Sequence, residues 1–487
     1  MRTFALSVVT KLSALALVLI GQVSAAQAPQ LPDQARPGQF SGFTPCAQQQ
    51  VYGAKTRPAE CGTLVVAENR EKPNGRLIAL PVVRLPAASP DGRDPIIRLS
   101  GGPGGTNLHH PIQSMDLLSR YDVLMLGYRG VDNQQSLSCP EIKRAALLPN
   151  PLSPQARAGV AEATRACAAR LNGQGIDLTR YRMVDVIEDY EVLRRALGHQ
   201  RFNLFSSSYG TRVAQYYSRL YPTSVARSVQ VAVNPPGRFQ WSPKINHDIM
   251  VEYGKLCAQD RFCSSRTDNL TDDVLAVLNR NDLRWNGKMI DMDRVLVAAF
   301  IMLMSTDRSV QFFDVVLDAR DGDTEGLYKL AGVYDQMVNH TVWGDLYSKG
   351  GVDFVDVNIE EFQRNRRTTR HRLGSPLGLI YSSGITSWPL QPAPEGFDRA
   401  VVDSTETLLI NGNLDMSTPL QPIAAELLEF LPNGHLVALK HFGHGDIRSP
   451  RLADQLGRQI TAFYDDGSVR DDAIKFREIN FNTGAGR

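Results

Sequence analysis

The sequence has little net charge, few cysteines and, after residue 20, no long apolar run. Its 487 residues include 53 lysines and arginines and 51 aspartates and glutamates, which gives a formal net charge of +2. Apart from one short arginine-rich segment, the chain lacks the basic stripes that proteins use to bind nucleic acids or anionic membranes. A transmembrane helix needs about 20 consecutive apolar residues. We therefore expect no nucleic-acid partner, and no membrane partner once the N-terminal segment has been removed.

The six cysteines form neither a Cys-x-x-Cys pair nor a cluster with histidine, so the sequence predicts no metal site. No other pattern requires a cofactor. An even number of cysteines is typical of an exported protein with disulfide bonds. Six cysteines allow many connectivities, but proximity along the chain groups them as Cys46 with Cys61, Cys139 with Cys167, and Cys257 with Cys263.

The N-terminal segment has the pattern of a signal peptide. Arg2 and Lys11 precede the apolar run Leu12–Ile20, and Val23-Ser24-Ala25 is a small-residue cleavage sequence. We expect residues 1–25 to be removed and the mature chain to be secreted or periplasmic. Removal of Arg2 and Lys11 leaves 51 basic and 51 acidic residues.

A serine-rich turn is the most informative motif. Ser208 lies between an apolar run, Phe202–Phe205, and a helix-like run that begins after Gly210. A strand, a sharp turn with serine at its apex and a following helix describe a nucleophile elbow. Such a turn needs small residues two positions before and two positions after the nucleophile, and Ser206 and Gly210 fill these positions.

A glycine-rich loop, Gly101-Gly102-Pro103-Gly104-Gly105, follows another apolar run. Hydrolases with a nucleophilic serine need backbone N–H groups that stabilise the developing oxyanion. One comes from a loop of this kind and the other from the residue after the serine. Glycines let the backbone approach the substrate closely. The sequence therefore predicts Gly102 and Tyr209 as the donors, with Gly101 as the alternative to Gly102.

Two later loops supply an acid and a histidine. Asp415 follows the strand-like run Leu408–Ile410, and His444 follows Leu436–Leu439. The chain order Ser208, Asp415, His444 is that of α/β-hydrolases and differs from the order in other serine protease folds. A neutral histidine can take the serine proton, and the carboxylate fixes the histidine tautomer. We predict these three residues as a catalytic triad.

These motifs together resemble the secreted bacterial α/β-hydrolases of the tripeptidyl aminopeptidase and prolyl aminopeptidase group. The resemblance runs from about Cys46 to the C-terminal helix and is weak in the middle. It implies local disulfide pairing, the triad and the oxyanion donors named above. The segments that carry it are Glu60–Val66, Gly101–Gly104, Tyr128-Arg129-Gly130, Ser208–Thr211, Asp415–Pro419 and Gly443–Gly445.

The chain departs from this family at several positions. Ser206 replaces a glycine, and Gly127 stands where the family usually has an acid, which predicts an altered salt-bridge network there. Ser100 replaces a histidine that is typical of prolyl aminopeptidases, which favours the tripeptidyl branch. His441 is a second candidate base, but the glycines on both sides of His444 match the histidine loop of the family.

Strand-like and helix-like runs alternate up to about residue 235, which is typical of a mostly parallel sheet flanked by helices. The pattern of the residues after Asn234 predicts helices, and the pattern typical of the sheet resumes at Thr407. We therefore predict an α/β-hydrolase fold with an inserted, mainly helical cap. The predicted units are a signal peptide at 1–25, a flexible leader at 26–40, the first part of the core at 41–235, the cap at 236–400 and the second part of the core at 401–487.

The sequence is less informative about the substrate. The resemblance implies cap carboxylates that bind the free α-ammonium of a peptide, because a buried cation needs a paired anion. The arginine-rich segment Arg364–Arg372 is interpreted as a solvated face or as a site for a substrate carboxylate. The candidate acids are Glu252, Asp314, Glu325, Glu360 and Glu361.

The leading hypothesis is a secreted serine exopeptidase that removes tripeptides or proline from peptides with a free N-terminus. A carboxylesterase or lipase with the same triad and a non-catalytic binding protein on the same fold are the alternatives. The sequence leaves the oligomeric state open.

Overall fold

The computed structural model describes residues 29–52, 55–72, 74–108, 115–237, 240–448, 450–470 and 478–482. The predicted signal peptide, residues 1–25, lies outside the described residues.

A nine-stranded sheet forms the centre of the molecule, in the order β1-β2-β3-β5-β4-β6-β7-β10-β11. Six neighbouring strands, from β5 to β11 in that order, are parallel, and β1, β2 and β3 join them in antiparallel fashion. The strands are β1 (Thr44–Tyr52), β2 (Lys55–Ala67), β3 (Leu77–Leu85), β4 (Ile96–Leu99), β5 (Val123–Leu126), β6 (Phe202–Ser208), β7 (Val225–Val233), β10 (Glu406–Gly412) and β11 (Gly434–Leu439), with β8 (Arg284–Trp285) and β9 (Lys288–Met289) as a separate hairpin.

Sixteen helices are described. They are α1 (Met115–Arg120), α2 (Pro140–Ala146), α3 (Pro154–Gly173), α4 (Met183–Ala196), α5 (Tyr209–Leu220), α6 (Pro243–Gln259), α7 (Arg261–Ser264), α8 (Leu270–Leu278), α9 (Met292–Met302), α10 (Thr306–Arg320), α11 (Glu325–His340), α12 (Trp343–Gly350), α13 (Ile359–Thr368), α14 (Ser375–Ser382), α15 (Leu420–Glu426) and α16 (Pro450–Asp466).

The central strands have apolar residues on both faces because helices cover the sheet on both sides. Every residue of β4 and of β5 is buried. Parallel strands covered on both faces need such continuous apolar runs. The parallel sheet flanked by helices confirms the fold class predicted from the alternation of strands and helices. The two antiparallel strands β1 and β2 were not predicted.

The helical insertion, defined here as α6 to α14, lies between β7 and β10 in the chain. Its sequence was expected to be mainly helical, and the structure adds only the two-residue strands β8 and β9. Because β10 pairs with β7 in parallel, the chain returns to the sheet directly beside the strand that it left. In the described part of the chain, no helix is long and apolar enough to cross a membrane.

All six cysteines form disulfides, and each bridge is local. Cys46–Cys61 joins β1 to β2, with its Cα atoms 5.7 Å apart. The two other bridges, Cys139–Cys167 and Cys257–Cys263, have Cα atoms 5.5 and 5.1 Å apart. The pairings are those that proximity in the sequence suggested.

Candidate active site

Ser208 stands at the junction of β6 and α5 in a strained backbone conformation. Its φ is 54° and its ψ is −130°, outside the regions that non-glycine residues usually adopt. Such strain persists only where the surrounding structure imposes it, and it is concentrated at functional sites. The strained turn raises the serine above the carboxyl end of the sheet, which is the arrangement of a nucleophile elbow.

The residues around Ser208 explain why this turn needs small side chains. A Cβ atom at Gly210 would lie 2.2 Å from the carbonyl oxygen of Leu99 and 2.6 Å from that of Ser100, so no other residue fits there. Ser206 is fully buried, and its hydroxyl donates a hydrogen bond to the carbonyl of Val229 at 3.1 Å. The unusual serine therefore gains a bond to the neighbouring strand β7.

The glycine-rich loop lies directly against Ser208. A Cβ atom at Gly101 would be 2.9 Å from the Cβ and 3.4 Å from the hydroxyl oxygen of Ser208. Gly102 has a φ of 134°, which favours glycine. Among the described residues, no hydrogen-bond acceptor occupies the N–H of Gly101 or Gly102. Both amides are available to a substrate, so the choice between them stays open.

A buried asparagine that was not predicted supports the glycine-rich loop. The side-chain amide of Asn107 donates to the carbonyls of Arg98, at 3.0 Å, and Leu126, at 2.8 Å. Its side-chain oxygen accepts a hydrogen bond from the N–H of Ser100 at 2.8 Å. Asn107 thereby joins the ends of β4 and β5 and fixes the backbone that leads into the loop.

Asp132 lies beside Gly127, the position at which the family resemblance predicted an altered salt-bridge network. A Cβ at Gly127 would be 2.7 Å from the Cβ of Asp132. The Asp132 carboxylate accepts hydrogen bonds from the N–H groups of Tyr128, at 2.8 Å, and Asn107, at 3.1 Å. Burial raises the pKa of Asp132, which these hydrogen bonds partly offset. An acid is therefore present locally, and it reaches this region from a different position in the sequence.

Asp415 and His444 are in direct contact. The Nδ1 atom of His444 lies 2.9 Å from Oδ2 and 3.1 Å from Oδ1 of Asp415. The N–H groups of Ser417 and Thr418 donate to Oδ1 at 2.8 and 2.7 Å, and the Thr418 hydroxyl donates to Oδ2 at 2.8 Å. Asp415 is fully buried. This network orients the carboxylate toward the imidazole.

The structure distinguishes the two candidate histidines. His444 contacts Asp415, whereas the backbone N–H of His441 donates to the side chain of Asn413 at 2.6 Å. Burial lowers the pKa of His441, and the charged groups that influence it are Lys440, Glu252 and Glu478. This geometry favours His444 as the base.

Asp446, two residues after His444, was not predicted. Its Oδ2 accepts hydrogen bonds from the N–H of Gly443, at 2.8 Å, and from the N–H of Thr306, at 2.9 Å. Its Oδ1 accepts one from the Ser305 hydroxyl at 2.6 Å. The carboxylate thus caps the N-terminus of α10 from outside that helix. It fixes the histidine loop to the helical insertion.

Two buried acids of the helical insertion contact the glycine-rich loop and α5. Asp345 accepts a hydrogen bond from the N–H of Gly104 at 2.9 Å and is paired with Lys349, and both side chains are 1% exposed. Burial raises the pKa of Asp345, although the charge of Lys349 opposes this. Asp353 binds Arg212, on α5, through two bonds of 2.7 and 2.8 Å.

The five acids proposed from the sequence as ammonium ligands are either paired with a basic residue or exposed. Three of them pair with basic residues, and Glu360 and Glu361 are exposed on α13. Among the described residues, no cluster of three histidine, cysteine or acidic side chains is suited to a metal ion. The three ion pairs are Glu252–Lys255, Asp314–Arg266 and Glu325–Lys329.

A family model and several known proteins are similar to this chain. Residues 94–249 match the family described as alpha/beta hydrolase fold. Serine protease Hip1 of Mycobacterium tuberculosis is 22% identical over 458 residues, which cover 84% of this chain and 86% of that protein. Tripeptidyl aminopeptidase of Streptomyces lividans is 26% identical over 212 residues, 40% of each chain. A serine hydrolase structure from Cycloclasticus zankles aligns with a TM-score of 0.38 and 13% identity, covering 84% of this chain and 98% of that chain.

Proposed function

We propose that this chain, which has an α/β-hydrolase fold and is similar to bacterial serine peptidases, is an exported serine exopeptidase. It would remove short N-terminal units, tripeptides or proline, from peptides through an acyl-enzyme. The observation that carries the proposal is the strained Ser208 beside the glycine-rich loop, on the same sheet edge as the Asp415–His444 pair.

The proposed reaction begins with proton transfer from Ser208. A carboxylate can only accept hydrogen bonds, so contact with Asp415 places the imidazole proton of His444 on Nδ1. The Nε2 atom is then free to accept the proton of Ser208 as its oxygen attacks the scissile carbonyl. His444 returns the proton to the leaving amine. Water, activated in the same way, hydrolyses the ester bond to Ser208.

The oxyanion of each tetrahedral intermediate would be stabilised by the N–H of Tyr209 and the N–H of Gly102, with Gly101 as the alternative. The loop that carries the glycines is held from both sides, by Asn107 in the core and by Asp345 in the helical insertion. Donors fixed before the reaction need no reorganisation when charge develops, which is why such preorganisation lowers the barrier.

We propose that the helical insertion acts as a cap that selects the substrate. The acid that binds a free α-ammonium is assigned neither to Asp345 nor to Asp353, because each is already neutralised by a buried cation. Export is supported by three disulfides, which persist in oxidising compartments.

A hydrolysis panel tests the proposal. The substrates are the p-nitroanilides of proline and of Ala-Pro-Ala, the N-acetylated form of each, and p-nitrophenyl esters of short and long acids. We expect turnover of the free-amine anilides and little turnover of the blocked ones. Ser208→Ala should lower kcat by a factor of about 10⁶. Ser89→Ala, on an exposed loop, is the matched control and should retain full activity.

Equal cleavage of blocked and free peptides would contradict the exopeptidase assignment. Turnover of esters without turnover of peptides would instead identify a carboxylesterase that uses the same triad. Full activity of Ser208→Ala would contradict the proposed nucleophile itself.

A further inference from the structure

A cavity of about 220 Å³ lies between the helical insertion and the segment that precedes α3. Its wall is formed by the residues that precede α3, by α9 and by the segment from α13 to α14. Three arginines of that segment, Arg366, Arg367 and Arg372, line it, together with a single acid, Asp293. None of its lining residues belongs to the elbow, the glycine-rich loop, the acid loop or the histidine loop.

The positive charge of this cavity exceeds the negative charge around it. Arg366 and Arg367 form no ion pair with any carboxylate in the described residues. Arg372 donates to the side chain of Asn279 at 3.1 Å. Burial raises the pKa of Asp293, and the nearby charge of Arg372 opposes this only in part. Asp293 is already engaged, because it accepts the N–H of Leu152 at 3.0 Å.

The uncompensated charge is also partly buried. Burial lowers the pKa of Arg366, and its guanidinium lies 4.6 Å from the ring centroid of Phe362, which restricts its orientation. Burial and the charge of Arg367 lower the pKa of the neighbouring Arg157. Arg366 and Arg372 are half-buried, whereas Arg367 is exposed. A partly desolvated positive charge is unfavourable unless an anion neutralises it.

Two helix N-termini add to the positive potential. Ser153, which caps the 20-residue helix α3, and Ser375 with Pro376, in the first turn of α14, line the cavity. The N-terminus of a helix carries a partial positive charge and attracts anions. The remaining wall is apolar, because Leu152 and Leu379 line it as well.

We propose that this cavity binds an aliphatic carboxylate, with the carboxylate on the arginines and the aliphatic group against the two leucines. Arginine binds planar carboxylates through two parallel hydrogen bonds, and the apolar wall distinguishes an organic acid from an inorganic anion. The ligand is a small organic acid or the C-terminal end of a peptide, which present the same chemistry. The inference does not depend on the proposed function, since no lining residue takes part in hydrolysis.

Isothermal titration calorimetry of the full chain in Tris chloride tests this assignment. The probes are pentanoate, N-acetyl-leucine, N-acetyl-leucine amide and inorganic phosphate. We expect saturable binding of at least one carboxylate and none of the amide. Arg366→Gln and Arg367→Gln should each weaken the binding at least tenfold. Arg364→Gln and Arg370→Gln, on the same segment but outside the cavity wall, should bind as the unmodified chain does.

Preference for pentanoate would identify a small acid as the ligand, and preference for N-acetyl-leucine would identify a peptide end. Three results would overturn the proposal: no saturable binding of either carboxylate, equal binding by Arg366→Gln, or tighter binding of phosphate. Far-UV circular dichroism and urea unfolding of each variant show that the variant is folded. The titration measures no turnover, so its outcome is independent of the exopeptidase proposal.

Discussion

Removal of the carboxylate of Asp353 should destabilise the protein strongly. Asp353 and Arg212 form a two-bond ion pair whose side chains are 4% and 0% exposed. Burial alone lowers the pKa of Arg212, but the charge of Asp353 outweighs this and the net pKa is raised. A guanidinium keeps its proton in folded proteins even without this help, so Arg212 stays charged in Asp353→Ala and loses its counter-ion. An uncompensated buried charge of this kind costs about 3–5 kcal/mol.

Urea unfolding of the variants measures this cost. The matched control is Asp248→Ala, which breaks an exposed pair with Lys244 whose side chains are 40% and 73% exposed. Solvent screens such a pair, so the control should change the free energy of unfolding by about 1 kcal/mol or less. The double variant Arg212→Met with Asp353→Leu removes both charges and should recover most of the stability lost in Asp353→Ala.

The reasoning fails if Asp353→Ala is no less stable than Asp248→Ala. It also fails if the double variant is as unstable as the single one, since the loss would then come from packing and not from an unpaired charge. Because α5 begins directly after Ser208, kcat should fall together with stability in the single variant.

Three further predictions concern the site. Gly210→Ala should prevent correct folding or abolish fluorophosphonate labelling, because the added Cβ would overlap a backbone carbonyl. The control is Gly159→Ala, whose added Cβ would have no atom within 4 Å; urea unfolding should show this variant to be more stable by about 0.5–1 kcal/mol. His444→Gln should remove nearly all peptidase activity while His441→Gln keeps the pH–rate profile of the unmodified chain, and the opposite result would reassign the base. Asp446→Ala should lower kcat more than it raises KM, because the loss of the carboxylate loosens the loop that carries His444. An effect on KM alone would show that Asp446 acts only on substrate binding.

The sequence predicted what is encoded locally. Ser208, Asp415 and His444 each follow an apolar strand, and parallel strands bring their carboxyl ends to one edge of the sheet. The fold class could be predicted for the same reason and is confirmed. The triad assignment stays a prediction that the geometry supports, and the hydrolysis panel tests it.

The residues that sequence reasoning missed act over long separations. Asp345 is 241 residues from Gly104, Asp353 is 141 residues from Arg212, and Asp446 is 140 residues from Thr306. An acid on an amphipathic helix looks the same whether it faces solvent or a buried partner. The local pattern therefore cannot identify these acids before the chain is folded.

Two features of the fold were missed for a different reason. Strands β1 and β2 contain many polar residues, and β1 lies at the edge of the sheet, so their apolar pattern is weak. The close approach of Asp132 to Gly127 was missed as well, since only the turn of the folded backbone brings the two positions together.

The hydrogen bonds of Asp446 limit how the site can open. They join the start of α10 to the loop that carries His444, and the N–H of Gly445 donates to the carbonyl of Met304 at 2.7 Å as well. A movement of α10 away from the sheet must break these bonds or displace the histidine. A bulky folded substrate that forced the insertion aside would thereby disable the base that it needs. We therefore expect the protein to act on substrates small enough to reach Ser208 without displacing α10, because the helix that would have to move also holds the loop of His444 in place.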